Sequence, residues 1–191
     1  GDSNRKSLNL HHGIAITDEF MKAVEADEYF SLKSPHDNKE VEKVKARDLW
    51  VKLITTRIET GEPYLLFIDT VNRSLPKHQK KLGLTVKTSN LCSEITLPTG
   101  IDHLGKFRTA VCCLSSLNLE HYDDWKNDEI FIEDVIRFID NVLQDFIDKA
   151  PESMSRAVYA ATRERSIGLG VMGLSSFLQM KNVSIESAMA K

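Results

Sequence analysis

Asn90, Cys92 and Glu94 stand two residues apart in the segment Ser89-Asn90-Leu91-Cys92-Ser93-Glu94-Ile95-Thr96-Leu97-Pro98. Side chains of an extended chain alternate between faces, so this spacing predicts all three on one side, with Leu91, Ser93 and Ile95 on the other. An amide, a thiol and a carboxylate sharing a face form a set that can do chemistry. The amide can hold a hydroxyl in place, and the carboxylate can take or return a proton. The thiol can act as a nucleophile or as a one-electron centre. The same pattern also fits a polar strand face at a solvent edge with a buried cysteine among it. Spacing alone leaves both readings open.

A second thiol site follows in Ala110-Val111-Cys112-Cys113-Leu114-Ser115, within a stretch from Arg108 to Leu114 that reads as extended. Two neighbouring extended segments joined by a turn can bring Cys112 or Cys113 close to Cys92. Vicinal cysteines point to opposite faces of a strand, so only one of them can face such a cluster. The other reads as a small core residue. A redox-sensing thiol at Cys112 or Cys113 is a further reading; it needs a depressed thiol pKa and solvent access. No lysine or arginine directly flanks the pair, although Arg108 is near. The three cysteines contain no CxxC and are too few for a secreted disulfide framework. None of the six histidines has a zinc-like spacing with them, so no structural metal is expected. His11 and His12, adjacent in the chain, read as solvated or packing residues.

The elements that must position these residues are mixed helices and strands. Thr17-Asp18-Glu19 ahead of Phe20-Met21-Lys22-Ala23-Val24 reads as a capped helix entry. Glu28 to Leu32 is a short strand closed by Ser34-Pro35. Asn38 to Thr60 is read as one helix, with Trp50, Ile54 and Ile58 on a stripe flanked by Ala46 and Leu53, and Gly61 as its C-cap. Tyr64 to Asp69 is an apolar run expected as a strand buried on both faces. Val71 to Gly83 reads as a polar, basic loop. Pro98-Thr99-Gly100 reads as a turn, and Asp102 to Lys106 as a loop. Ile132, Val135, Ile136, Ile139, Val142, Leu143 and Phe146 mark an amphipathic helix from Asp128 to Ala150, stopped by Pro151. A further helix is expected from Ser153 to Arg163. The stretch Gly168-Leu169-Gly170-Val171-Met172-Gly173 spells G-x-G-x-x-G, but no obvious strand precedes it and no suitably placed acid follows. Its glycines read instead as small residues that let a helix pack closely.

Composition bounds the rest. Apolar residues make up 41% and charged residues 28% of 191 residues, the balance of an ordinary globular protein. With 25 basic and 28 acidic residues spread along the chain and no basic stripe with aromatics, nucleic acid is not expected as a partner. No apolar run is long enough to span a bilayer and the start does not resemble a signal peptide, so a cytoplasmic protein is expected. The chain reads as a single partial domain over residues 1–191.

The segment S-N-L-C-x-E-I resembles the active-site segment of the ribonucleotide reductase large, catalytic subunit. A-V-C-x-L-S-S-L-N-L resembles the segment that supplies one of its redox cysteines. Ile14-Ala15-Ile16-Thr17-Asp18-Glu19-Phe20-Met21 is similar to a stretch leading into a helix of that family. Thr60-Gly61-Glu62-Pro63-Tyr64 and Asp69-Thr70-Val71-Asn72-Arg73 resemble its strand just before the active site. Arg165-Ser166-Ile167-Gly168-Leu169-Gly170-Val171-Met172-Gly173 resembles a helix downstream. The matches run in the family's order over nearly the whole chain.

The resemblance implies an α/β fold, part of a ten-stranded α/β barrel around a finger loop, with several long helices. It implies that Cys92 becomes a thiyl radical that takes the 3′ hydrogen of a ribonucleotide. Glu94 would be the base on the 3′ hydroxyl, Asn90 would hydrogen-bond the sugar hydroxyls, and Cys112 would be half of the dithiol that reduces the 2′ carbon. Cys113 falls where the family has another residue type and receives no role. The family's second dithiol cysteine, its phosphate-binding segment and its C-terminal tyrosines and cysteines lie outside the matched region. An internal fragment of the barrel is therefore expected, inactive alone and prone to associate through an exposed sheet edge. The resemblance implies a ribonucleoside diphosphate substrate, the remainder of the large subunit, a radical-generating small subunit, and thioredoxin or glutaredoxin as reductant. No cofactor is expected in this chain: a partner subunit, di-iron or similar, is the expected source of the radical, and adenosylcobalamin, also used within the family, is the alternative. The alternative is a non-catalytic binding or regulatory module of the same fold that associates with a complete subunit.

Overall fold

The structure is a computed structural model that describes residues 10–190. The polar start of the chain and Lys191 lie outside the described residues. The chain divides into two compact units, residues 1–106 and 107–191.

In the first unit, β1 (Gly13–Ile16) leads into α1 (Asp18–Ala26), a hairpin of β2 (Tyr29–Lys33) and β3 (Glu40–Lys45), α2 (Ala46–Thr60) and β4 (Tyr64–Phe67). β4 returns beside β1 in parallel, in register from Gly13 opposite Tyr64 to Ile16 opposite Phe67. Parallel strands need a long crossover, and here α1, the hairpin and α2 supply it. The Thr17 hydroxyl accepts the Phe20 N–H at 3.2 Å and caps α1 as the sequence predicts. Gly61 ends α2 in the left-handed conformation, its N–H on the Arg57 carbonyl at 2.8 Å. Ile16, Phe20, Ala23, Val24 and Ala46 form the buried cluster, and Phe30 and Trp50 pack on it. The Phe20 ring meets Phe30 edge-on at 5.1 Å between centroids.

Three local expectations give way in this unit. The helix expected from Asn38 begins only at Ala46, because residues 40–45 pair antiparallel with β2. Ser34 N–H bonds the Lys39 carbonyl and Asn38 adopts φ +56°, so the chain doubles back onto a strand already in place. Tertiary pairing there overrides helical propensity. The strand expected to Asp69 stops at Phe67, and it is not buried on both faces: Leu66 is buried while Phe67 is exposed. The expected basic loop contains two short helices, α3 (Ile68–Ser74) and α4 (Lys77–Lys81). At seven and five residues they are too short to show an apolar period. Asp69 in the first turn of α3 and Arg73 in its last complement the helix dipole. A long irregular loop then runs to β5 (Gly100–Ile101).

The second unit starts at β6 (Phe107–Arg108) and continues into β7 (Cys113–Asn118). α5 (Tyr122–Trp125), α6 (Phe131–Lys149) and α7 (Ser155–Glu164) follow, then β8 (Ile167–Met172) and α8 (Leu174–Met180). β8 lies parallel to β7, in register from Cys113 opposite Ile167 to Asn118 opposite Met172. The G-x-G-x-x-G stretch is therefore a strand, not a helix. Its glycines serve the neighbouring strand: a Cβ at Gly168 would sit 2.6 Å from Leu114 Cδ2. Gly173, with φ +74°, ends the strand in a conformation that favours glycine. On α6 the apolar stripe is wider than the surface this unit covers: Ile139 and Leu143 are buried, while Ile132, Ile136 and Val142 are exposed.

Among the described residues the strands pair two by two and no sheet closes on itself. The fold is α/β, each unit holding one parallel strand pair joined through helices.

Arg108 and Glu164 form a buried ion pair that ties β6 to the end of α7, and the guanidinium also lies over the Tyr159 ring, 5.5 Å from its centroid. The Thr109 N–H bonds the Arg156 carbonyl at 3.3 Å. These contacts set the path of the chain into Cys112. Glu164→Gln takes the charge from one side of a buried pair and is expected to cost about 3–5 kcal/mol, seen as a lower urea midpoint. A midpoint unchanged within error would mean the pair does not hold β6 in place.

Candidate functional site

The loop carrying Asn90, Cys92 and Glu94 leaves α4 through Leu84 and Val86, which are 6% and 2% exposed. Its two legs meet where the Thr99 N–H bonds the Thr85 carbonyl at 3.2 Å. Between them the chain is not extended, and the expected alternation of side chains does not apply. The Ser93 N–H bonds the Asn90 carbonyl at 3.1 Å and Ser93 adopts φ +65°. That is a tight turn with Leu91 and Cys92 at its centre. The physical reason is Asn90, whose short amide competes with strand pairing by bonding nearby groups. Its Oδ1 accepts the Ile95 N–H at 3.0 Å, and its Nδ2 donates to Glu94 Oε1 at 2.7 Å.

The turn therefore joins Asn90 to Glu94 directly and lifts Cys92 to the apex. Asn90 is half-buried, while Cys92 and Glu94 are exposed. The Glu94 carboxylate keeps an oxygen for a further partner, and the amide holds the group in one direction. An exposed thiol at the apex of a turn that also carries an oriented carboxylate offers a nucleophile or one-electron centre and a proton acceptor in one short segment.

Cys112 and Cys113 lie in the second unit. Cys112 is exposed in the irregular link before β7. Cys113 is half-buried, and its Sγ lies 3.5 Å from the Ile139 carbonyl on α6. The two thiols thus differ in setting, although only Cys113 belongs to a strand: Cys112 is open to solvent and Cys113 is packed on a helix. His11 and His12 are exposed and both meet Glu62, whose carboxyl they hold below its usual range, the His12 hydrogen bond contributing most. Among the described residues no group of three or more histidine, cysteine or acidic side chains could hold a metal ion. No helix among them is long and apolar enough to cross a membrane.

One residue of this site is not singled out by any spacing. Asn72 on α3 reaches Val86, fourteen positions on, at the foot of the loop. In the sequence it appears only inside the D-T-V-N-R match, because a helical asparagine gives no sign of which backbone it will bond.

Comparison with known proteins gives a consistent result. The family described as the ribonucleotide reductase barrel domain matches residues 1–191. A Frog virus 3 (isolate Goorha) protein provisionally named as a ribonucleoside-diphosphate reductase large subunit is 50% identical over 190 residues, covering 98% of this chain and 33% of the relative. The ribonucleoside-diphosphate reductase large subunit of Invertebrate iridescent virus 3 is 42% identical over 241 residues, covering 98% of this chain and 38% of the relative. Among solved structures, the class Id ribonucleotide reductase alpha subunit of Actinobacillus ureae superposes with a TM-score of 0.72 at 36% identity, covering 94% of this chain and 31% of that one. The chain thus spans about a third of the length of the curated relatives it matches.

The different settings of the three thiols predict an order of reaction. Cys92 and Cys112, both exposed, are expected to be alkylated by iodoacetamide well before the half-buried Cys113. Peptide mass spectrometry over a time course checks this. Cys113 reacting first or together with the others would contradict the placement of its sulfur against α6.

Proposed function

The chain belongs to the ribonucleotide reductase barrel-domain family, and from that premise we propose that it is a catalytic segment of a ribonucleoside-diphosphate reductase large subunit. Together with the rest of that subunit it converts ribonucleoside diphosphates to deoxyribonucleotides. The observation that carries the reading is the turn in which Asn90 holds Glu94 by a hydrogen bond of 2.7 Å while Cys92 occupies the apex. In this reading the turn is the tip of the finger loop, and the two parallel strand pairs are staves of the family's ten-stranded barrel.

The division of labour is the one that the family resemblance implies for these groups. The Cys92 sulfur, as a thiyl radical, takes the hydrogen from C3′ of the ribose. Glu94, oriented by Asn90, accepts the proton of the 3′ hydroxyl. The amide of Asn90 also bonds the sugar hydroxyls, which fixes the ring against the thiol. Cys112 is one half of the dithiol that delivers two electrons at C2′ and ends as a disulfide, its partner thiol coming from the remainder of the subunit. Cys113, packed on α6, stays outside the reaction. The radical originates in a separate small subunit, di-iron or similar, and reaches Cys92 through the assembled enzyme. Thioredoxin or glutaredoxin returns the disulfide to the dithiol, as suits a cytoplasmic enzyme.

The test is ribonucleotide reduction by this chain with and without the missing parts of a large subunit and its radical partner. Activity is expected only on complementation. Cys92→Ser should abolish it, and Glu94→Gln should lower kcat by about 10²–10⁴-fold, the usual contribution of a positioned base. A folded chain that gives no activity in any combination would support the other reading, a binding or regulatory module of the same fold.

A further inference from the structure

The loop that carries Asn90, Cys92 and Glu94 has no strand or helix of its own between Leu82 and Thr99. Something outside it must set its height and direction. Val86 is the deepest point of its first leg, 2% exposed, and its backbone N–H and C=O are withdrawn from water with it. Buried backbone groups of this kind need partners. Both find theirs in one side chain. Asn72 Oδ1 accepts the Val86 N–H at 2.8 Å, and Asn72 Nδ2 donates to the Val86 carbonyl at 2.9 Å. The same Nδ2 donates to the Ile68 carbonyl at 3.0 Å, one turn back on α3, which fixes the plane of the amide.

We infer that Asn72 is the positioning residue of the loop: its carboxamide pairs with Val86 as a strand residue would and so sets where the Asn90–Glu94 turn is presented. The role rests on the proposed function for its catalytic meaning, but the geometry stands within the first unit alone. The chemistry selects the residue type. The site needs one acceptor and two donor directions on one rigid plane, which among side chains only a carboxamide supplies. Aspartate has the same shape but faces two carbonyl oxygens with an oxygen of its own. The mechanical path is short. α3 follows directly from β4, and β4 is held in the parallel pair with β1. Val86 is therefore tied to the sheet through one helix, and four residues later comes Asn90. On the return leg the Thr99 N–H closes the loop on the Thr85 carbonyl, next to the anchored residue. Asn72 does not touch the reacting groups; it acts through the backbone that leads to them.

Amide hydrogen exchange on the 191-residue chain tests this, compared with Asn72→Ala and Asn72→Asp. In the parent, the Val86, Ser93 and Ile95 amides should be protected relative to Leu91. In both variants protection should be lost at Val86 and also at Ser93 and Ile95 in the turn, while amides of α1 and α2 keep theirs. Loss confined to Val86 would make Asn72 a local contact only and overturn the inference. So would a Val86 amide that exchanges as fast as Leu91 in the parent. Failure of both variants to fold would also overturn it, by making Asn72 a residue of the core. The readout involves no catalysis, so its failure is distinct from failure of complementation to give reductase activity.

Discussion

Two strands that run the same way cannot be joined by a tight turn, and this chain contains that situation twice. β1 and β4 are parallel, as are β7 and β8. Each pair needs a crossover long enough to carry the chain back to its start, and a helix is the usual way to span that distance while burying an apolar face. The first crossover uses α1, the β2–β3 hairpin and α2, the second α5, α6 and α7. The rest follows from this constraint. The apolar faces of the crossover helices supply the buried cluster around Phe20 in the first unit and the buried Ile139 and Leu143 in the second. Irregular chain, free of pairing duties, is left at the strand ends. The residues proposed to react sit in that irregular chain: the Asn90–Glu94 turn between β4 and β5, and Cys112 just ahead of β7.

A rigid scaffold with chemistry on its loops is a common division of work. Here the loop is ordered by side-chain amides rather than by a ladder. Asn90 shapes the turn from within, and Asn72 holds its foot from outside. Each uses both ends of its carboxamide. A thiol at the apex of a turn held in this way can approach a ligand while its neighbours keep a constant distance. Such constancy matters for a hydrogen transfer, whose rate is sensitive to small displacements of the reacting atoms.

How far this was legible in the sequence depended on the kind of force at each position. Caps were readable because they are local: Thr17 and Gly61 bond to backbone within a few residues of themselves. The long helix α6 was readable from its apolar period, although the period did not say which part of the stripe the unit would cover. β3 reads as the start of the helix that follows it, because its true partner, β2, lies across a turn and leaves no local sign. α3 and α4 were hidden by their brevity and their basic residues. In the sequence the glycines of β8 read as helix-packing residues, whereas their reason lies in the facing side chains of β7. At the site, the residue types of Asn90, Cys92 and Glu94 stood out. The alternation argument that grouped them assumed a strand, and the local bonding of Asn90 makes a turn instead. Asn72 left no signal, because its role depends on a contact between distant residues.

The central claim is that Cys92 takes the 3′ hydrogen of a ribonucleotide. The most direct measurement is the single-turnover rate of the complemented enzyme with unlabelled substrate and with substrates bearing deuterium at C3′ or at C4′. The account predicts slower reduction with deuterium at C3′ and no change with deuterium at C4′. Deoxyribonucleotide formed at equal rates from all three substrates, or formed equally well after Cys92→Ser, would contradict it.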